Sequence, residues 1–69
     1  MKEEWALTYL VRGEFYGAVR EEREELPGEA YRIARQFEED GARSVMIVAP
    51  NGSTYATAEF YQAMSTSGV

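Results

Sequence analysis

The stretch that decides the fold is Val45–Ser53, which reads VMIVAPNGS. Val45–Ala49 is apolar and mostly β-branched, as is typical of a central strand. Asn51-Gly52 follows, and this dipeptide is favoured in type I′ hairpin turns because both central residues need a positive φ. We therefore predict a hairpin whose second strand begins at Thr54. In the register of such a turn, Tyr55 lies on the sheet face opposite to Ile47.

Upstream of this hairpin, the sequence predicts one amphipathic helix. Pro27 is tolerated at the first helical position, and Glu29 favours the positive N-terminal end of the helix dipole. Gly41 is suited to terminate the helix. The apolar residues recur at i, i+3, i+4 and i+7, which places them on one helix face: Ala30, Ile33, Ala34 and Phe37.

Further upstream, the sequence predicts a second hairpin. Trp5–Arg12 alternates between two faces, with Tyr9 and Val11 on the Trp5 face. Gly13-Glu14 suits a type II′ turn, and the return strand runs from Phe15 to about Arg20. The charged run 21–25 either continues this strand or forms a solvated loop.

These elements predict a single α+β domain over residues 1–69. The expected sheet has four antiparallel strands in the order 2-1-3-4, a ββαββ arrangement, with one helix packed on one face. Residues 58–64 are compatible with either a strand extension or a short helix. Residues 65–69 are expected to form a frayed tail.

Composition argues against most catalytic chemistry. The chain has no histidine and no cysteine, so it lacks the most common general base, the thiol nucleophile and the usual metal-binding spacings. No serine lies in a nucleophile motif, and no loop has the spacing of a calcium site. We expect no enzymatic activity, no metal and no cofactor.

The charge distribution points to a protein partner. The formal net charge is -5, and residues 21–40 hold eight acids and three bases. Nucleic-acid binding needs lysine and arginine against the phosphates, so we expect no direct nucleic-acid partner. A basic protein surface suits this field better. No run approaches the roughly 20 apolar residues of a membrane span, and we expect a cytoplasmic protein without a membrane contact.

Two acidic clusters are the first candidate sites. Glu21, Glu22, Glu24 and Glu25 precede the helix, and Glu38, Glu39 and Asp40 end it. Acids at a helix C-terminus oppose the helix dipole, and such a broken local rule marks a candidate functional position. The alternative is a solvated surface in which Arg35 pairs with Glu38 and Glu39.

The uncovered sheet face is the second candidate site. One helix covers one face, so the other face presents apolar groups that favour an interface, as a homodimer or with another protein. We expect Met46 and Val48 on that face, together with Tyr9, Tyr16 and Tyr55. The alternative is the ordinary preference of tyrosine for strands.

The chain resembles the small phage-encoded anti-CRISPR proteins. The features that carry this resemblance are the strand Trp5–Val11, the helix segment Ala30–Arg35, the apolar strand Val45–Ala49 and the Asn51-Gly52 hairpin. The resemblance is architectural, and ββαββ domains also occur among antitoxins and phage accessory proteins. It implies a stoichiometric binder that occludes a CRISPR effector subunit at a surface that would hold nucleic acid.

Two functions follow as hypotheses. The first is a non-catalytic inhibitor from a phage or mobile element, acting in the host bacterial cytoplasm, that docks its acids on a basic site of a defence complex. The second is a self-associating module, an antitoxin-like or regulatory dimer, that uses the uncovered sheet face.

Overall fold

A computed structural model describes residues 8–67 as four strands and two helices. The strands are β1 (Tyr9–Phe15), β2 (Ala18–Glu24), β3 (Arg43–Val48) and β4 (Thr54–Ala56). The helices are α1 (Pro27–Glu39), between β2 and β3, and α2 (Thr57–Ser67), after β4. The predicted strand Trp5–Arg12 lies within the described residues only from Thr8 onwards.

The four strands form one sheet in the order β2-β1-β3-β4, and every neighbouring pair is antiparallel. This confirms the predicted α+β class and strand order. The prediction of a single helix was wrong. Residues 58–64, which the sequence allowed as either a strand or a helix, belong to α2. Residues 65–67, expected to fray, belong to α2.

The turn of the first hairpin lies three residues later than predicted. Phe15 pairs with Ala18, so Tyr16 and Gly17 are the two turn residues, with φ of 51° and 87°. Two positive φ values define a type I′ turn. Gly13 instead lies inside β1, where a Cβ would approach a ring carbon of Phe37 to 2.9 Å. The glycine at position 13 therefore allows α1 to pack closely on the sheet, and it is not a turn residue.

This turn extends β2 through the charged run as far as Glu24 and fixes its faces. Directly paired residues in antiparallel strands project from the same face. Glu22 and Glu24 lie opposite Val11 and Tyr9, whereas Glu21 lies opposite Arg12. The predicted acidic run is therefore divided between the two faces of the sheet.

A bulge joins β1 to β3. The register shifts between Arg12 and Glu14, and Ser44 lies at φ 56° on the opposite strand. An extra residue in the left-handed conformation is the usual geometry of one kind of β-bulge. After the bulge, Val45 and Ile47 point towards α1 and are buried.

Helix α1 ends as the sequence predicts. Gly41 has a φ of 96°, its N–H donates to the Glu38 carbonyl at 3.1 Å, and the Ala42 N–H donates to the Phe37 carbonyl at 2.9 Å. This pair of hydrogen bonds is a Schellman motif. Ala30 and Ala34 are fully buried, so small side chains let the helix approach the sheet closely.

The second hairpin forms where predicted but with another turn. The Gly52 N–H donates to the Ala49 carbonyl at 2.9 Å, which closes a turn with Pro50 and Asn51 in its centre. Gly52 has a φ of 91°, whereas Asn51 is not at positive φ, so the turn is not type I′. Pro50 fixes its own φ near −65°, which favours the turn observed.

This turn reverses the predicted face of Tyr55. Tyr55 pairs with Ile47 and lies on the helix-facing side, while Met46 pairs with Ala56 on the other side. Helix α2 packs beside α1, and its Phe60 is fully buried with ring centroids 5.6 Å from Tyr9 and 5.4 Å from Tyr55. Both helices therefore cover the same face of the sheet.

Candidate protein-interaction surfaces

Within residues 8–67, no helix covers the second face of the sheet, which we call the open face. Its central apolar residues are Leu10, Met46 and Val48, each half-buried by its neighbours. Ala56 of β4 and Val19 of β2 extend this surface, and Val19 is 48% exposed. The described part measures 32 × 32 × 16 Å, the dimensions of a flat slab with one helix layer on one sheet.

A shallow hollow of about 370 Å³ continues the apolar surface towards the second hairpin. Leu10 and Val48 line it together with Pro50 and the Asn51-Gly52 turn.

The open face carries charges of alternating sign. Arg12 lies between Glu14 and Glu21, and its Nε is 3.6 Å from the Glu21 carboxylate. Glu14 pairs across the strands with Arg43. Three arginines and two glutamates project from this face, a net charge of +1: Arg12, Arg23, Arg43, Glu14 and Glu21.

The acidic excess lies on the opposite side, which we call the helical side. It comprises both helices, the loops next to them and the helix-facing side chains of β2. It holds three arginines and eight acids: Glu22, Glu24, Glu25, Glu29, Glu38, Glu39, Asp40 and Glu59. The net charge of the described chain therefore comes entirely from the helical side.

The first acidic cluster surrounds the N-terminal end of α1. Arg32 donates from Nε to Glu29 at 3.1 Å, and this hydrogen bond, with Glu24 nearby, raises the pKa of Arg32. Glu24, Glu25 and Glu29 line one exposed hollow beside Leu26. Glu22 and Glu24 project from the helix-facing side of β2 and Glu25 follows them in the loop, whereas Glu21 projects from the open face.

The second acidic cluster lies at the C-terminal end of α1. Arg35 lies 3.9 Å from Glu39 and donates to the Tyr31 hydroxyl at 3.2 Å, a hydrogen bond that raises the pKa of Arg35. Asp40 accepts a hydrogen bond from Gln36 at 3.1 Å. The predicted Arg35 pairing is thus present for Glu39, and the carboxylates stay on the surface.

The two acidic clusters lie at opposite ends of one helix. Thirteen helical residues span about 20 Å at 1.5 Å per residue. One partner surface can therefore contact both clusters only if its own basic groups extend over that distance.

The predicted placement on the open face was wrong for Tyr9 and Tyr55. Tyr9 is buried at 8% exposure and contacts Phe60, and the half-buried Tyr55 packs on the same ring. Both rings lie on the helix-facing side and fill the gap between α2 and the sheet. Tyr16 lies at the tip of the first hairpin and is 99% exposed.

The role of Arg20 was not predicted from the sequence. Arg20 lies over the rings of Phe15 and Phe37, with its guanidinium carbon 5.1 and 5.5 Å from their centroids. In this cation–π arrangement, the guanidinium group of Arg20 covers the Phe15 and Phe37 rings at one end of the core. Successive residues of a strand project from opposite faces of the sheet. Once the hairpin turn is known, this alternation places Arg20 and Glu22 on the helix-facing side and Glu21 on the open face.

The described residues contain no group of three or more acidic side chains arranged to hold a metal ion. Neither described helix is long and apolar enough to cross a membrane. Comparisons with protein-family models, with curated proteins and with solved structures found no match to this chain.

Proposed function

We propose that this chain is a non-catalytic, protein-binding inhibitor from a phage or mobile element. In this proposal the helical side docks on a basic, nucleic-acid-binding site of a bacterial defence complex such as a CRISPR effector. The observation that carries the proposal is the segregation of charge, since the helical side holds eight acids and three arginines while the open face is nearly neutral.

Electrostatics gives such a binder two advantages. A field of one sign speeds encounter with a surface of the opposite sign, and the effect falls as salt screens it over about 8–10 Å at physiological ionic strength. Carboxylates held on a folded scaffold also offer the partner acceptor groups where phosphates would otherwise lie. Glu22, Glu24 and Glu25 are the residues that we assign to this contact, with Glu38 at the far end of α1.

The test measures affinity for purified, RNA-loaded CRISPR effector complexes and inhibition of phage restriction in a strain that carries them. Glu22→Lys should weaken binding several-fold, because it places a cation on the helical side. Glu21→Lys is the matched control, since it makes the same charge change one residue away on the open face. We expect it to change the affinity less than twofold.

Two results would contradict the inhibitor proposal. One is the absence of binding to every effector complex tested at 50 mM salt. The other is an equal effect of Glu21→Lys and Glu22→Lys, which would show that the side of the sheet does not matter.

A second candidate function is a self-associating structural or regulatory module, as in an antitoxin-like dimer. The observation that favours it is the uncovered apolar surface of Leu10, Met46 and Val48. The two functions use opposite sides of the sheet and are therefore compatible in one molecule.

A further inference from the structure

The central strands of the open face carry three cross-strand pairs. Leu10 lies opposite Val48, Arg12 lies opposite Met46, and Glu14 lies opposite Arg43. The two side chains of each pair could also contact each other favourably across an interface. The pairs are two aliphatic side chains, an arginine stem with a thioether, and two opposite charges.

We propose that the open face is the interface of a symmetric homodimer whose two-fold axis runs along the seam between β1 and β3. This inference concerns the side of the sheet that the inhibitor proposal does not use; it rests on the second candidate function and deepens it by assigning the symmetry axis. A rotation about that axis lays β1 of one copy over β3 of the second copy. Leu10 then meets Val48 of the second copy, Arg12 meets Met46, and Glu14 meets Arg43, each contact occurring twice.

The pattern of side chains selects this axis. An in-plane axis perpendicular to the strands would lay Glu14 over Leu10 and Arg43 over Val48 of the second copy. That arrangement buries charges against apolar groups, which is costly without a partner. The axis along the strands instead lays Glu14 over Arg43, Leu10 over Val48 and the aliphatic stem of Arg12 over Met46.

The edges of the sheet favour a face-to-face contact over edge pairing. Five consecutive charged residues, 20–24, lie on the edge strand β2, and the other edge strand β4 has only three residues. Charged and very short edge strands resist pairing with another sheet. The resulting dimer has four layers, with the sheets about 10 Å apart and the acidic helical sides facing outwards.

The size of the face sets the expected strength. Strands of seven, seven, six and three residues, at about 3.3 Å per residue and about 4.8 Å spacing, give a footprint of roughly 360 Å² per copy. This is small against the roughly 800 Å² per partner of a standard interface. We therefore expect a weak dimer that forms only at high protein concentration.

The test uses sedimentation of the wild-type chain and of two charge-reversal variants. Glu14→Arg and Arg43→Glu should each weaken self-association more than tenfold, because each brings like charges together twice. An equimolar mixture of the two variants should recover a dimer. In the mixed pair, the arginine introduced at position 14 faces the glutamate introduced at position 43 of the other chain.

The mixture separates the proposed contact from the pairing within one chain. Each variant has lost its own cross-strand charge pair, so recovery can come only from contact between copies. Leu26→Asn is the control, since Leu26 is 63% exposed on the helical side. It should leave self-association unchanged.

A wild-type chain that remains monomeric at millimolar concentration would overturn the homodimer. A mixture that stays as weak as the single variants would overturn the axis proposed here. Circular dichroism of each variant establishes that it is folded before association is measured.

Discussion

Ser44 adopts a backbone conformation that its side chain does not favour. Its φ is 56°, in the left-handed region where a Cβ costs about 1–2 kcal/mol. The bulge opposite Gly13 requires this conformation, because it returns Val45 to the buried face.

Ser44→Gly should therefore raise the free energy of unfolding by up to about 1 kcal/mol, since relief of strain exceeds the added flexibility of the unfolded chain. Urea unfolding measures the change. Ser44→Ala is the control and should give no gain, because the Cβ remains. A loss of stability in Ser44→Gly would show that the bulge is not strained.

Thr57 is the one buried side chain among the described residues whose polar atom has no hydrogen-bond partner. It is 5% exposed and begins α2. An unsatisfied buried hydroxyl costs about 1–3 kcal/mol, whereas an apolar group of the same shape does not.

Thr57→Val should raise the melting temperature by several degrees, on the order of 1 kcal/mol for a domain of this size. Thr66→Val provides the comparison, because the Thr66 hydroxyl is exposed and donates to the Gln62 carbonyl at 3.0 Å. We expect little change there. A clear destabilisation by Thr57→Val would mean that the hydroxyl is satisfied in solution.

At the scale of elements, the charges in the first turn of α1 suit the helix dipole and those in its last turn oppose it. Pro27 and Glu29 suit the first turn, whereas the last turn has no basic residue and is followed by Asp40. Glu38 and Glu39 oppose the helix dipole at that end.

Glu38→Lys should stabilise the domain by about 0.5 kcal/mol, because a cation replaces an anion at the negative end of the dipole. If the helical side binds a basic partner, the same substitution should weaken that binding. Thermal unfolding and partner affinity, measured on one sample, test both parts. A gain in stability with unchanged affinity would remove Glu38 from the proposed contact.

The four strands and α1 could be predicted from the sequence, but α2 and the strand registers could not. The apolar strand at 45–49 and the helix stripe ending at Phe37 follow from periodicity. The first turn was missed because Tyr16 occupies a position where asparagine is usual, while Gly13 resembles a turn glycine. Pro50 favours a turn other than the predicted type I′. The register of that turn places Tyr55 on the helix-facing side and not on the open face.

The candidate sites were predictable to the same degree. The acidic helix ends are visible in the sequence because they lie on consecutive residues. The division of residues 21–25 between the two faces depends on the register of the first hairpin, and that register cannot be predicted from composition. Met46 and Val48 were correctly placed on the open face from the sequence, whereas the position of Leu10 on that face, and of Tyr9 and Tyr55 on the helix-facing side, depends on the same registers.

At the scale of the whole molecule, the two sides of the sheet have different chemistry. The helical side is acidic, and the open face is apolar at its centre and nearly balanced in charge. Our central claim is that the open face, which no helix within residues 8–67 covers, is used for recognition.

The most direct test is methyl NMR of the chain with a soluble nitroxide, at a dilution where sedimentation finds monomers. We predict strong attenuation of the Leu10 and Val48 methyl signals, while those of Val11 and Ile47 persist because these side chains are fully buried. The Leu10 and Val48 signals should become protected as concentration rises. Equal protection of all four residues at the lowest concentration would contradict the claim.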